Sequence, residues 1–197
     1  MSSTPPPARR GSGELAGALE AAPVHVLYVV RSYAELFVSA YRKRAEDNPV
    51  APFAEIVPNF MAMDRGWPEL LGEMRDTLGA EKLTVLPYEA RGSSRDLLKQ
   101  LVPRLAGEEL AEPSRTVNLS ATDTALEALQ KRYQAGETLP RRVWQRIMQE
   151  NANITERTGF AGFPEPERQA LQARYDTDLA RLAEMPGISF QPSARLV

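Results

Sequence analysis

The spacing of apolar residues along this chain changes character at Arg31. Before it, Val24-His25-Val26-Leu27-Tyr28-Val29-Val30 is almost continuously apolar and rich in valine. That pattern predicts a parallel strand covered on both faces. After it the period becomes helical. Ser32 is placed to cap the helix, and Glu35, three residues on, to bond back to the cap amide, a capping box. Arg31 therefore leaves the carboxyl end of a strand as a helix begins. Open α/β sheets bind ligands at that edge, and a helix amino terminus there favours anions.

Phe53, Ile56, Val57, Phe60 and Met61 follow at near-helical spacing across 53–63, interrupted by Pro58. Pro68 suits a first helical position. Trp67, Leu70, Leu71, Met74 and Leu78 form one stripe, and Gly79 ends that helix. Leu83-Thr84-Val85-Leu86 reads as a second strand closed by Pro87, so the helix between the strands implies a parallel crossover. Tyr88 and Glu89 then emerge at the same ligand edge. Ser94 is expected to cap a helix that turns Leu97, Leu98, Leu101 and Val102 inward. From 120 onward the pattern is helical only. Ser120 with Asp123 opens one helix, Pro140 a second, and a long one starts near Glu165 with a seam of Leu171, Tyr175, Leu179 and Leu182.

A length of 197 residues suits a single domain with a real core. Residues 1–13, rich in Ser, Pro, Gly and Arg, read as a disordered tail, followed by a short helix over 14–21. The remainder, 14–197, reads as one domain, with an α/β part over 14–107 and a mostly helical part over 108–197. The net charge of −2 offers no nucleic-acid surface. The lack of cysteine excludes disulfides and thiolate chemistry and fits a reducing compartment. A single histidine argues against a metal site. The sequence has neither a secretory core nor an apolar run of the ~20 residues that span a bilayer, so a cytoplasmic location is expected.

Ser39 lies seven residues after Ser32, about 10 Å along a helix axis, on a polar stripe with Glu35 and Arg42 or Lys43. The Arg31 fork and the Ser39 hydroxyl can meet on one oxyanion. The alternative is that Arg31 pairs with a surface carboxylate and Ser39 is simply a small helix residue. Further on, Arg157-Thr158-Gly159-Phe160-Ala161-Gly162-Phe163 combines two glycines, which permit close backbone approach to an anion, with another fork. A plain turn between helices accounts for it equally well.

The text V-L-Y-V-V-R-S-Y-A-E-L-F-V-S-A-Y resembles the sulfotransferase superfamily, which uses 3′-phosphoadenosine 5′-phosphosulfate (PAPS). In that family an Arg at a strand end and a Ser eight residues later hold the nucleotide 3′-phosphate, and Arg31 and Ser39 have that spacing. Trp67 to Glu89 is similar to the family's helix, strand and Tyr-Glu segment, and V-N-L-S-A-T at 117–122 is also family-like. The 157–163 loop resembles R-K-G-x-x-G-D-W, with Thr158 for the Lys, no Asp, and Phe163 for the Trp.

The resemblance implies an α/β fold: a partial P-loop-type parallel sheet of few strands flanked by helices, with a helical C-terminal half. It implies PAPS as donor without a metal, a hydroxyl-bearing acceptor, and nucleotide contacts from Arg31, Ser39, Arg157 and Gly159. The family's Lys-Ser/Thr phosphosulfate loop is expected to be missing before residue 24, so the catalytic base is unassigned. G-S-G at 11–13 does not replace that loop, having no preceding strand. Three readings follow: a PAPS-binding sulfotransferase, a degenerate binding or structural module, and a shortened gene product. An incomplete sheet would also leave an edge for a second copy or a partner chain to cover.

Overall fold

The computed structural model describes residues 25–111 and 121–192. The expected tail over 1–13, the helix over 14–21, Ser120 and most of V-N-L-S-A-T lie outside the described residues. Two compact units are present, each built from separated stretches of chain. A sheet unit takes 25–31, 64–111 and 174–192, and a helical unit takes 32–63 and 121–173.

Three parallel strands make the sheet unit: β1 (His25–Val30), β2 (Lys82–Pro87) and β3 (Ile188–Phe190), in the order β1-β2-β3. β2 is central, and Leu83 to Pro87 are all buried. β1 has one neighbour among the described residues. Only Val30 of it is fully buried, and His25 to Val29 are half-buried. The expectation of a strand covered on both faces is corrected on this point: an apolar run is also compatible with the edge of a small sheet. β3 is a further correction, since no strand was expected beyond 120. Its three residues pair with Leu83, Thr84 and Val85. Pro186-Gly187 turns the chain into β3, with Gly187 at φ +78° and Arg75 Nη1 donating to the Pro186 carbonyl at 2.5 Å.

The helices of this unit begin with α3 (Trp67–Leu78). The Gly66 N–H donates to Glu69 Oε2 at 2.8 Å at its start, and Gly79 closes it in the left-handed region at φ 58°. Leu71 and Gly72 are buried. A Cβ at Gly72 would stand 2.9 Å from Met185 Cε, so glycine makes room for that side chain. α4 (Ser94–Leu101) is capped by Ser93 rather than Ser94: the Ser93 hydroxyl accepts from the Asp96 N–H and the Asp96 carboxylate accepts from the Ser93 N–H. The long helix α7 (Glu165–Glu184) brings Tyr175 and Leu182 into the core from Arg174 onward. The Tyr175 hydroxyl lies 3.5 Å from the Val30 carbonyl.

Four helices and the start of α7 make the other unit: α1 (Tyr33–Asp47), α2 (Phe53–Met61), α5 (Asp123–Gln134) and α6 (Arg141–Glu150). α2 runs through Pro58. Ser32 occupies the cap position of α1, but its side chain makes no capping bond, so the expected capping box does not form. Thr122 caps α5, its hydroxyl accepting from the Ala125 N–H at 3.2 Å. Ala45, Ala125 and Leu126 are fully buried, and the small alanines let backbones approach. A ring cluster fills the rest: Phe37 stacks on Phe60 at 4.6 Å, and Phe53 meets Tyr41 and Phe163 edge-on at 5.0 Å each. Among the described residues the class is therefore mixed α/β, with seven α-helices and one small parallel sheet.

Candidate functional site

The register of the sheet unit decides what meets at its carboxyl edge. Val30 pairs with Pro87, so the next residues, Arg31 and Tyr88, leave the two strands side by side. Arg31 is held through its backbone, its carbonyl accepting from Trp67 Nε1–H at 2.9 Å. That indole is itself packed against the Tyr28 ring at 5.7 Å. Tyr88 opens a single 3-10 turn, Tyr88–Ala90, and is 37% exposed. The Arg31 guanidinium carbon lies 4.7 Å from the Tyr88 ring centre, and that of Arg91 lies 3.7 Å from the same centre. Two cations thus share one partly exposed ring, a favourable placement for each against the ring's negative face. Arg91 was not singled out in the sequence. The signal was available as R-G-S-S-R directly beyond the second strand.

Ser39, Arg157 and Gly159 belong to the helical unit. Ser39 is exposed on α1, and Arg157 is exposed in the loop between α6 and α7. Gly159 has φ +82°, and its loop does cradle an anion. The N–H groups of Thr158, Gly159 and Phe160 all donate to Asp123 Oδ2, at 3.0, 3.1 and 3.3 Å. Asp123 Oδ1 accepts from Arg42 Nη1, and Arg42 Nη2 donates to the Ala121 carbonyl at 2.6 Å. Successive amides converging on one oxygen form an anion nest, filled here by a buried side chain of the protein itself. Burial, the largest single influence on Asp123, pushes its pKa up. The hydrogen bond and charge of Arg42, with the amides of Phe160 and Gly159, outweigh it and hold the carboxyl below its ordinary value.

Gln130 and the Glu46 carbonyl also close on partners within the helical unit. Gln130 Nε2 donates to the carbonyls of Ala45 and Asn48 at 2.6 and 2.7 Å, and its Oε1 accepts from the Val50 N–H at 2.9 Å. The Glu46 carbonyl accepts from the Tyr133 hydroxyl and from Trp144 Nε1–H, both at 2.8 Å. An open cleft of about 360 Å³ is lined by Tyr41, Phe53 and Phe160 together with Gln130 and Gln134, and the Tyr41 hydroxyl on its wall already donates to the Ala51 carbonyl at 2.8 Å.

In the sheet unit, His25 Nε2 lies 3.0 Å from Thr84 Oγ1. Burial first, then the Lys82 charge, lower the imidazole pKa against a weaker opposing contribution from the Leu101 backbone. Among the described residues no group of three His, Asp or Glu side chains is placed to hold a metal ion, and no helix is long and apolar enough to cross a membrane. No family model matches the chain, and no curated protein or solved structure matches it.

Proposed function

We propose that this protein is sulfotransferase-like and binds PAPS or its product, 3′-phosphoadenosine 5′-phosphate, with a hydroxyl-bearing molecule as acceptor. One observation carries the reading: Arg31 stands at the carboxyl tip of a parallel strand, its carbonyl fixed by Trp67 and its guanidinium over an exposed tyrosine. That is the edge at which parallel sheets receive ligands. The family-like text around Arg31 supplies the nucleotide as the ligand. In this reading Arg31 offers a planar fork to a phosphate. The family resemblance implies nucleotide contacts from Ser39, Arg157 and Gly159 as well, and the Gly159 amide already donates to Asp123.

In the transfer itself the acceptor oxygen attacks sulfur, the sulfur–oxygen bond to the 5′-phosphate breaks, and the bisphosphate leaves. The acceptor hydroxyl must lose its proton to a base that these residues do not supply. Binding and orientation of the donor are what the named side chains can do.

A second reading, a binding module without turnover, is favoured by the Gly159 loop, which is closed on Asp123. Isothermal titration with 3′-phosphoadenosine 5′-phosphate tests nucleotide binding. Arg31→Ala should cost about 1.5–3 kcal/mol, the worth of a charged hydrogen bond. Equal affinity in the variant would refute the assignment. Transfer of labelled sulfate from PAPS by the full chain separates the two readings, since turnover eliminates the second.

A further inference from the structure

We infer that residues 14–22 dock as an amphipathic helix along α4, covering the apolar face that α4 leaves open beside the start of β1. The inference goes beyond the nucleotide reading and is independent of it.

The surface comes first. Leu97, Leu98 and Leu101, with Val102 just beyond, form one apolar stripe on α4, yet no residue of this helix is fully buried and Leu98 is 42% exposed. The inward turn expected of these residues is therefore only half made. An apolar stripe opposite Arg95, Asp96 and Lys99 is the pattern of a helix with one buried face. α4 packs against β1, and its C-terminal end stands where that strand begins. The Leu101 backbone there lies within hydrogen-bond reach of the His25 ring.

The chain that leads into His25 has the matching pattern. Leu15, Ala18, Leu19 and Ala22 recur at i, i+3, i+4 and i+7, one stripe of a helix. Pro23 stops that helix at Ala22. The step from Ala22 to His25 spans at most about 10 Å, so the end of the segment is confined to the neighbourhood of Leu101. Residues 14–22 as a helix are about 13 Å long, and the eight residues of α4 about 12 Å. A helix that ends beside Leu101 and lies along α4 runs in the same direction as α4. Ala18, Leu19 and Ala22 would then stand beside Leu97, Leu98 and Leu101, and Glu20 beside Lys99.

Charge agrees with this placement. Glu14 and Glu20 are the only charged residues between Arg10 and His25. α4 and the 3-10 turn after it, Pro103–Leu105, carry Arg95, Lys99 and Arg104. Their one carboxylate, Asp96, accepts from the Ser93 N–H and hydroxyl in the cap. An acidic segment tethered beside a basic-rimmed apolar stripe meets it at high effective concentration, which favours it over a separate chain.

The test uses the full chain, which contains no cysteine. Leu19→Cys combined with Leu98→Cys, oxidised at low protein concentration, should give an intramolecular disulfide read by peptide mass spectrometry, with Leu19→Cys alone as the background. A helix this short is marginal in water by itself, so amides over 15–22 that are protected from hydrogen exchange report docking. Leu98→Asp, at a position already exposed, should speed their exchange about tenfold while α5 keeps its own rate. Exchange over 15–22 at the rate of an unfolded peptide in the parent chain overturns the inference. Protection that Leu98→Asp leaves unchanged also overturns it, because the segment then docks elsewhere. Disulfide-linked dimers, or no bridge above background, overturn it as well, and dimers would assign the face to a second copy of the chain.

Discussion

Arg42 and the pair Arg31 and Arg91 are the same side chain in two different settings. In the helical unit Arg42 meets Asp123 and the Ala121 carbonyl, and the other oxygen of Asp123 collects three backbone amides. Every charge there has an internal counterpart, so the cluster reads as architecture. It fastens the 158–160 loop to the start of α5. In the sheet unit two guanidiniums gather on one ring at the strand tips, and the neighbouring carboxylate of Asp96 is turned into a helix cap. Convergent charge that is closed internally holds a fold together, and the 158–160 loop on Asp123 is of that kind. At the strand tips the described contact of both arginines is with the Tyr88 ring. The glycine loop at 157–163 and the arginine at the strand tip look alike as anion sites in the sequence, and the structure shows the loop's amides already engaged.

The largest effect that would break this contrast is expected from Asp123→Ala. Removing one partner of a buried ion pair strands the other and leaves three amides without an acceptor, a cost of about 3–5 kcal/mol. The chain has two tryptophans, Trp67 in the sheet unit and Trp144 in the helical unit, so Trp144 fluorescence in a Trp67→Phe background reports urea unfolding of the helical unit alone. Added sulfate should partly restore Asp123→Ala and leave the parent unchanged. A midpoint unmoved by the substitution would mean that the nest carries no structural weight.

A smaller effect is expected from Trp67→Phe itself. It deletes the indole N–H that holds the Arg31 carbonyl and should cost about 1 kcal/mol, as for one neutral hydrogen bond. Amide hydrogen exchange at β1 should speed up while α5 is unchanged. Equal acceleration in both would show that the tryptophan does more than pin the strand tip.

The pH dependence separates the units with the smallest expected effect. Asp123 has a folded pKa below its unfolded one. Its stabilisation is present above the unfolded value, about 4, and is lost as pH falls through the folded value. His25 also has a lowered folded pKa, so the unfolded chain takes up that proton first. The sheet unit should therefore begin to weaken as pH falls through about 6.5, well before the helical unit. His25→Gln should flatten the first phase of a Trp67-monitored titration, and Asp123→Asn the acid phase monitored by Trp144. A single transition shared by both probes would contradict this division.

Much of the local structure was legible because its signals are local. The valine run gave away β1, Pro68 and Gly79 bracketed α3, and the stripe from Leu171 to Leu182 marked α7. The placement of Arg31 at a strand's carboxyl end, with Tyr88 at the next, followed from those elements alone. Ser93, and not Ser94, caps α4 because a one-residue choice depends on which hydroxyl reaches the Asp96 amide.

What required the tertiary structure was every relation between distant residues. A strand's period says which side chains alternate, but its number of neighbours depends on what else joins the sheet, so β1 as half-buried, with one neighbour among the described residues, and β3 as a three-residue strand were not readable. The pairing of Val30 with Pro87 decides that Arg31 and Tyr88 emerge together, and a 3-10 turn adds Arg91. The carboxylate of Asp123 finds the amide of Gly159 across 36 residues of chain, and that contact turns a plausible ligand loop into a closed joint. Sequence determined which residues carry charge and where β1 and β2 end. Long-range pairing decided which of those charges face a partner inside the protein, because hydrogen bonds and ion pairs are made in space and not along the chain.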